Sequence, residues 1–297
     1  MNNSVTLPAF AKINLCLHIL GRRPDGYHEL RTIFQSISLK DTLKLSRTSD
    51  SGITLETDDA ALPTGPENLV YRAIEAISRE VGFLDGVRAH LKKRIPVARG
   101  LGGGSSDAAA ALIGMLRLTK KRLPLDRLLE IAAGLGADVP FFLFGGRALA
   151  VSRGDEVYPL RNGPKRCILV VSPKSIGVST KEAYEWVSAE LTNRPRPFSM
   201  WGFCALCWSR QGAGVSNDFE GPVFRRHPRL GEIRDVLLKR GAAEAALAGS
   251  GSAVFGVFRN PAQARRTARE FREDSAFVVE ALSREEYARA LGWHPPD

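Results

Sequence analysis

The sequence predicts an α+β protein of two domains, residues 1–160 and 161–297. Three observations predict it. The chain has 297 residues, about two domains at roughly 150 residues each. Strand-like and helix-like segments interleave without a strict βαβ repeat, which favours α+β over a doubly wound sheet. A short apolar run, Cys167–Val171, follows a region of strands and turns and opens a second set of elements. Hydrophobic residues at 44% and charged residues at 25% are near the globular average and exclude a disordered tail or a collagen-like chain. A chain this long buries roughly 75% of its unfolded surface and needs no disulfide or metal staple.

Each element rests on its own pattern. Ile13, Leu15, Leu17 and Ile19 alternate with Lys12, Asn14, Cys16 and His18, the period-2 signature of a strand with one buried face. Lys12 and Asn14 then share the opposite face. Gly21–Gly26 is a turn-rich loop, and Ile33–Leu39 and Thr42–Leu45 are further strands. Leu69, Val70, Ala73, Ile74, Ile77 and Val81 recur at helical spacing. Val87–Lys93 is a strand leading to Pro96, and Gly100–Ser106 a Gly/Ser loop. The Ala-rich segment Asp107–Leu118 is a helix. A second helix spans Asp126–Leu135 with Asp126 as its N-cap. Residues 147–171 are strands and turns. Thr192–Gly214, with prolines, tryptophans and a C-x-x-C, is the least regular stretch. Ala242–Leu247 is helix-like, Gly249–Gly251 a tight turn, Ala253–Phe258 a strand, Pro261–Glu273 an amphipathic helix and Phe277–Leu282 the last strand.

Four cysteines, Cys16, Cys167, Cys204 and Cys207, are too few for a disulfide scaffold. Cys204 and Cys207 lack the second ligand pair that zinc needs, and the five histidines are scattered. Free thiols are expected. The most apolar stretch, Ile131–Val151, is broken by Asp138, Pro140 and Arg147, so no membrane span is read. The start of the chain lacks a basic region ahead of an apolar core, which argues against a signal peptide and for the cytoplasm. The net charge of +10 suggests an anionic partner, a nucleic acid or a phosphorylated small molecule. No zinc-finger, bZIP or RNP pattern accompanies the basic runs Lys92–Arg94 and Lys120–Arg122, so a nucleic-acid partner is not expected.

Pro96-Val-Ala-Arg-Gly-Leu-Gly-Gly-Gly-Ser-Ser106 runs from a strand, through four glycines, into a helix. Glycines let backbone N–H groups approach an anion, and a helix N-terminus adds its positive dipole end. The hydroxyls of Ser105 and Ser106 add donors. Phosphate binding is the natural chemistry. No lysine follows the last glycine, so this is not a Walker A loop. Ser105 stands where a dinucleotide fingerprint needs its third glycine, and the protein-kinase H-R-D and D-F-G motifs are absent. The structural alternative is a capped glycine turn.

This segment resembles the central motif of the GHMP small-molecule kinases. Ala9-Phe-Ala-Lys-Ile-Asn-Leu15 resembles their first motif and Leu247-Ala-Gly-Ser-Gly-Ser252 their third. Gly21-Arg-Arg-Pro-Asp-Gly-Tyr-His28, Thr32-Ile-Phe-Gln35 and Gly136-Ala-Asp-Val-Pro-Phe-Phe-Leu143 are similar to one branch of that family. That branch phosphorylates the 2-hydroxyl of a cytidine-diphospho-methylerythritol in the non-mevalonate isoprenoid pathway. The likeness covers about 8–45, 67–160 and 245–258; it skips 192–214, and Ala248 replaces the usual Ser or Thr.

The resemblance implies an N-terminal domain like domain 2 of ribosomal protein S5, a ferredoxin-like C-terminal domain and a cleft between them. It implies ATP and Mg²⁺ as cofactors and a catalytic pair, Lys12 and Asp138. Such a pair suits phosphoryl transfer, which needs a proton acceptor and positive charge on the phosphate oxygens. The bland alternatives are a solvated strand lysine and an aspartate N-cap. The nucleotide falls to Pro96, Val97, Ala98, Arg99, Gly100, Leu101, Gly102, Gly103, Gly104, Ser105 and Ser106, with Asn68 at the adenine. The acceptor falls to Asn14, Tyr27, His28 and Tyr184, and to Gly249, Ser250 and Gly251. The rings of Tyr27 and Tyr184 would stack on the cytosine, and His28 would read its edge. Ser106 is the one pointer to a metal ligand, and the metal's protein ligands are otherwise open. Asn217-Asp218-Phe219 also echoes the family, with no role beyond structure. The expected partners are small molecules only, with no membrane, and the expected state a monomer or weak homodimer. Competing readings are another acceptor (homoserine, mevalonate or a sugar), a non-catalytic regulator on the same fold, and an RNA-binding protein.

Overall fold

A computed structural model describes residues 3–191 and 215–295 of the chain. Cys204, Cys207 and Thr192–Gly214 lie outside the described residues. Two long strands, β1 (Ser4–Arg22) and β2 (His28–Thr48), form an antiparallel hairpin at the centre of the first sheet. β3 (Ile53–Thr57), α1 (Leu69–Val81) and β4 (Gly86–Lys92) make a crossover unit, with β3 and β4 parallel. β4 pairs with β2 on its outer half. α2 (Gly103–Thr119), α3 (Leu125–Leu135) and the single turn α4 (Phe141–Phe144) follow. β5 (Arg147–Val151) and β6 (Glu156–Pro159) then add to the inner half of β2. Leu43, Leu45, Ile74, Leu112 and Phe141 seal the sheet beneath these helices.

The second sheet is antiparallel in the order β11 (Ser275–Glu280), β7 (Cys167–Ser172), β10 (Val254–Phe258), β9 (Glu244–Leu247). Its helices are α5 (Thr180–Leu191), α6 (Glu220–Arg226), α7 (Pro228–Lys239) and α8 (Pro261–Ala268). β7 is apolar on both faces. Leu169 and Val171 join the core with Ile233 and Phe258, while Ile168 and Val170 pack with Phe255 against Ala11, Ile13 and Ile37 of the first sheet. Burying a side chain of this size contributes about 1.5–3 kcal/mol, so the junction of the halves is packed like an interior. A two-residue strand, β8 (Ser216–Asn217), pairs in parallel with β1. The last helix, α9 (Arg284–Leu291), returns to the first core, where the Tyr287 hydroxyl donates to Phe142 O at 2.7 Å.

The α+β expectation holds, and several local readings change. β1 has no solvent face, because helices cover one side and the second sheet the other; Lys12 and Asn14 are 4% and 1% exposed. The two strands read in 33–45 are one, and Asp41 between them is buried. α2 begins at Gly103, so Gly103–Ser106 form its first turn rather than a loop. Pro124 precedes α3, and Asp126 lies in its first turn instead of capping it. Ala242–Leu247 is no helix: residues 244–247 are β9, whose ladder with β10 overrides alanine's helix preference. α8 stops at Ala268, short of Glu273. The last strand ends at Glu280, and α9 was missed although Ser283 and Glu286 form a capping box ahead of it. Cys16 and Cys167 are free and buried. Among the described residues no helix is long and apolar enough to cross a membrane.

Candidate active site

A cavity of about 1080 Å³ lies between the halves, walled by β1, the start of α1, the loop into α2, the segment at Asp138, α5 and the turn at Gly249. The loop 96–102 is positioned from both sides. Lys12 N donates to Leu101 O at 3.0 Å, which ties the loop to β1. Arg99 donates to Ser252 Oγ at 2.9 Å and to Lys174 O at 3.2 Å, which ties it to the second half. Gly100 has a φ of +76°, and a Cβ there would meet Ala248 O at 1.9 Å. Gly102 is the α2 N-cap at φ 70°, against Phe142 and the Lys12 stem. No side chain among the described residues caps the start of α2. Its first N–H groups are therefore open to an anion, at the positive end of the helix dipole.

Bulges after Phe10 and Asn14 bracket Lys12–Asn14 in β1, a device that re-aims side chains beside a site. Lys12 Nζ lies 3.3 Å from Asp138 Oδ2 and donates to Asn14 Oδ1 at 3.0 Å. Asn14 Nδ2 donates to Thr32 Oγ1 at 2.7 Å, and that hydroxyl donates to Cys16 O at 2.7 Å. The chain of donors fixes Asn14's amide so that its oxygen faces the ammonium. Phe34 lies 4.8 Å beneath Nζ. The Asp138 side chain is 32% exposed, open to the cavity. It precedes Pro140, the N-cap of α4, so the capping alternative does not apply.

A second cluster went unread in the sequence. Lys93 bridges Asp41 and, at 2.7 Å, Asp107 beneath the first turn of α2. Asp41 Oδ1 also accepts from the backbone N–H groups of Arg94 and of Ile95, the latter at 2.8 Å. Two carboxylates share one ammonium out of water. Burial pushes the Asp107 carboxyl up, to about 7; Lys93 opposes the rise and Asp41 adds to it. Asp107 Oδ1 and the neighbouring Ser106 Oγ are buried without a hydrogen-bond partner among the described residues. Nothing local marks this cluster, since Asp41, Lys93 and Asp107 meet only through the sheet and α2.

At the other end of the cavity Tyr27 is 55% exposed and lies 4.9 Å from the Arg153 guanidinium. Arg23 pins its loop, donating to Glu29 at 2.7 Å and to Ser152 Oγ at 2.9 Å. His28 stacks on Tyr184, centroids 4.7 Å apart, and its Nε2 lies 2.6 Å from Ser188 Oγ. The Ser188 hydroxyl donates to Tyr184 O at 2.7 Å. His28 Nε2 therefore carries the hydrogen, and Nδ1 is left as an acceptor. Burial and the Arg22 charge lower the His28 pKa, favouring the neutral ring. Phe219 meets Tyr184 edge-on at 4.9 Å and lines the same wall, a residue not singled out for this cavity from sequence.

The residues singled out for chemistry converge here, with exceptions. Pro96 through Ser105, Lys12, Asn14, Tyr27, His28, Asn68, Asp138, Tyr184, Gly249 and Ser250 all line the cavity. Ser106 is buried behind it and Gly251 is not on its wall. The Asn68 side chain is the α1 N-cap, accepting from Val70 N at 2.9 Å, while Leu69 beside it faces the cavity. One face of the Tyr184 ring is covered by His28.

Comparison with known proteins points one way. The GHMP kinases N terminal domain matches residues 68–146, and the GHMP kinases C terminal domain matches 199–276. A 4-diphosphocytidyl-2-C-methyl-D-erythritol kinase of Solibacter usitatus is 43% identical over 96% of this chain and 90% of its own length. One of Moorella thermoacetica is 45% identical over 91% of this chain and 95% of its own. A crystal structure of a 4-(cytidine 5'-diphospho)-2C-methyl-D-erythritol kinase is similar with a TM-score of 0.78 and 36% identity, covering 94% of this chain and 100% of that one.

Proposed function

The chain belongs to the GHMP kinases, among the 4-diphosphocytidyl-2-C-methyl-D-erythritol kinases, and on that premise we propose that it phosphorylates the 2-hydroxyl of 4-diphosphocytidyl-2-C-methyl-D-erythritol. The products are the 2-phosphate and ADP, and the reaction serves non-mevalonate isoprenoid synthesis. The observation that carries the proposal is one cavity holding the Lys12–Asp138 pair beside the uncapped start of α2.

The ATP phosphates bind at the N–H groups of Gly103, Gly104 and Ser105, with the adenine toward Asn68 and Leu69. Asp138 accepts the proton of the 2-hydroxyl as the oxygen attacks the γ-phosphorus. Lys12 keeps Asp138 ionised and offsets charge on the transferring phosphoryl group. Asn14 and Thr32 hold Lys12 on line. The cytosine stacks on Tyr27, and His28 Nδ1 accepts from its amino group. Gly249 and Ser250 close the side between phosphate and acceptor.

Among the described residues no three His, Cys, Asp or Glu side chains cluster to hold a metal ion. The donors that face the phosphate end are hard oxygens, the Ser105 hydroxyl and the Asp138 carboxylate, which suits Mg²⁺ carried in on phosphates better than a resident cage. When bound there, Mg²⁺ would offset phosphate charge. We place the division of the halves after residue 160, with α9 returning to the first half, the protein in the cytoplasm, and its state as a monomer or weak homodimer.

The test is ADP release by purified protein with Mg·ATP, offering the cytidine-diphospho acceptor against homoserine, mevalonate and galactose. Turnover with the cytidine acceptor alone is expected. Turnover with another acceptor would overturn the specificity, and ATP binding without any turnover would point to a regulator.

A further inference from the structure

We infer that Asn217 is a positioning residue for this site, holding the third glycine turn and the acceptor wall in register through its side-chain amide. The inference rests on the kinase reading above and names a part of the machinery that no motif chemistry assigned.

Asn217 is 7% exposed and spends its amide fully. Nδ2 donates to Leu247 O at 2.8 Å and to Gly249 O at 2.7 Å, while Oδ1 accepts from Phe219 N at 2.9 Å. The two carbonyls flank the end of β9 and the turn that follows it. That turn lies backbone against backbone on the phosphate loop: a Cβ on Gly249 would meet Gly100 O at 2.8 Å. Gly249 and Ser250 face the cavity, and Ser250 Oγ lies 3.2 Å from Thr180 Oγ1 at the start of α5. The third bond fixes Phe219, the ring beneath Tyr184 and hence beneath the Tyr184–His28 stack.

The next residue fastens this unit to the catalytic strand. Asp218 N donates to Leu17 O at 3.0 Å, and Asp218 Oδ2 accepts from Ile19 N at 2.9 Å. Three consecutive residues therefore join β1, the glycine turn and the aromatic wall. A plain packing residue would not direct two donors at the carbonyls of Leu247 and of the cavity-lining Gly249. The phosphate loop has holds of its own, from Lys12 N and Arg99. Disturbing Asn217 should therefore act on acceptor placement and leave nucleotide affinity largely intact.

Asn217→Asp keeps the shape and turns both donors into an acceptor facing two carbonyls. A misplacement of about 1 Å costs about 100-fold in rate. The expected result is a kcat lowered about 10–100-fold and a raised KM for the acceptor, with KM for ATP near the parent's. Leu237→Ala, in the core of the same half, serves as a stability control: it lowers Tm while kcat and both KM values hold. Should Asn217→Asp fail to fold, Asn217→Ala removes the donors without adding repulsion and shows the same split, smaller. Binding of cytidine 5'-diphosphate, followed by calorimetry, weakens in the Asn217 variants and holds in Leu237→Ala. Kinetic constants and cytidine diphosphate affinity at parent values beside a lower Tm would overturn the inference, as would equal rises in both KM values. A parent without turnover counts against the kinase reading alone, because the calorimetric comparison still decides the role of Asn217.

Discussion

Lys12 and Lys93 each meet carboxylates along the wall of one cavity, and their surroundings set them apart. Lys12 contacts Asp138 at 3.3 Å, and that carboxylate is 32% exposed to the cavity. Its other partners, Asn14 and Thr32, are neutral. Lys93 joins two carboxylates, Asp41 and Asp107, whose side chains are 0% and 3% exposed. The first pair is open, with one carboxylate per ammonium, so a proton can reach Asp138 from a substrate. The second cluster is closed and carries one surplus negative charge when all three groups are ionised. It ties β2, the loop after β4 and α2 together beneath the phosphate loop. Identical residue types thus form an open pair in one place and a closed cluster in the other, and water access to the carboxylates sets the two apart.

The largest expected effect breaks the open pair. Asp138→Asn should lower kcat about 10²–10⁴-fold, the usual contribution of a general base, with Tm close to the parent's. A kcat near the parent's would remove Asp138 from the base role. Breaking the closed cluster should do the reverse. Lys93→Met leaves two buried carboxylates unpaired and should cost about 3–5 kcal/mol of stability, read from denaturant midpoints. A Tm equal to the parent's would show that the cluster is not structural.

The third prediction opposes the two wall ends. Tyr27→Ala should raise KM for the cytidine acceptor by the worth of one base stack, about 1–3 kcal/mol. KM for ATP should stay put, and equal rises would defeat the assignment.

The last contrast lies in pH dependence. Asp107 has a folded pKa raised to about 7 by burial, against 3.8 ordinarily. A carboxyl raised on folding contributes stability that is fully present below the ordinary value and is lost as pH climbs through the folded one. Unfolding free energy should therefore carry a falling component between pH 3.8 and about 7, which Asp107→Asn removes. His18, beside Asp218, obeys the same sign at higher pH. Its pKa is raised from 6.5 to about 9, chiefly by its hydrogen bond to Asp218. That contribution is complete below 6.5 and declines up to about 9. His18→Gln should flatten the upper window and leave the lower one. A profile without slope in the upper window would sink the His18 assignment.

Much of the site was legible because its demands are local. Four glycines before a helix serve any backbone that must approach an anion, and the D-G-Y-H and G-A-D-V-P segments set their cavity-lining residues in consecutive positions. Lys12 and Asp138 were paired by resemblance, and the fold supplies their contact. Asn68, expected at the adenine, also caps α1, a role its place before a helical repeat allows. The Lys93 cluster and the Asn217 brace were not legible. Each consists of ordinary polar residues whose meaning comes from partners far along the chain, Asp41 and Asp107 for one and Leu247 and Gly249 for the other.

By itself the sequence determined the α+β class, the helices with clear amphipathic period, the glycine loop ahead of α2 and the contiguous motifs that line the cavity. Those follow from periodicity, glycine's freedom and local spacing, which act within a few residues. Tertiary structure alone decided that β1 is buried on both faces, that Ala-rich 244–247 is a strand, and that α9 closes the first core. It also decided which lysine has a carboxylate partner open to the cavity and which has partners that are sealed. These outcomes depend on what covers a face or completes a ladder, and the covering residues come from the other half of the chain.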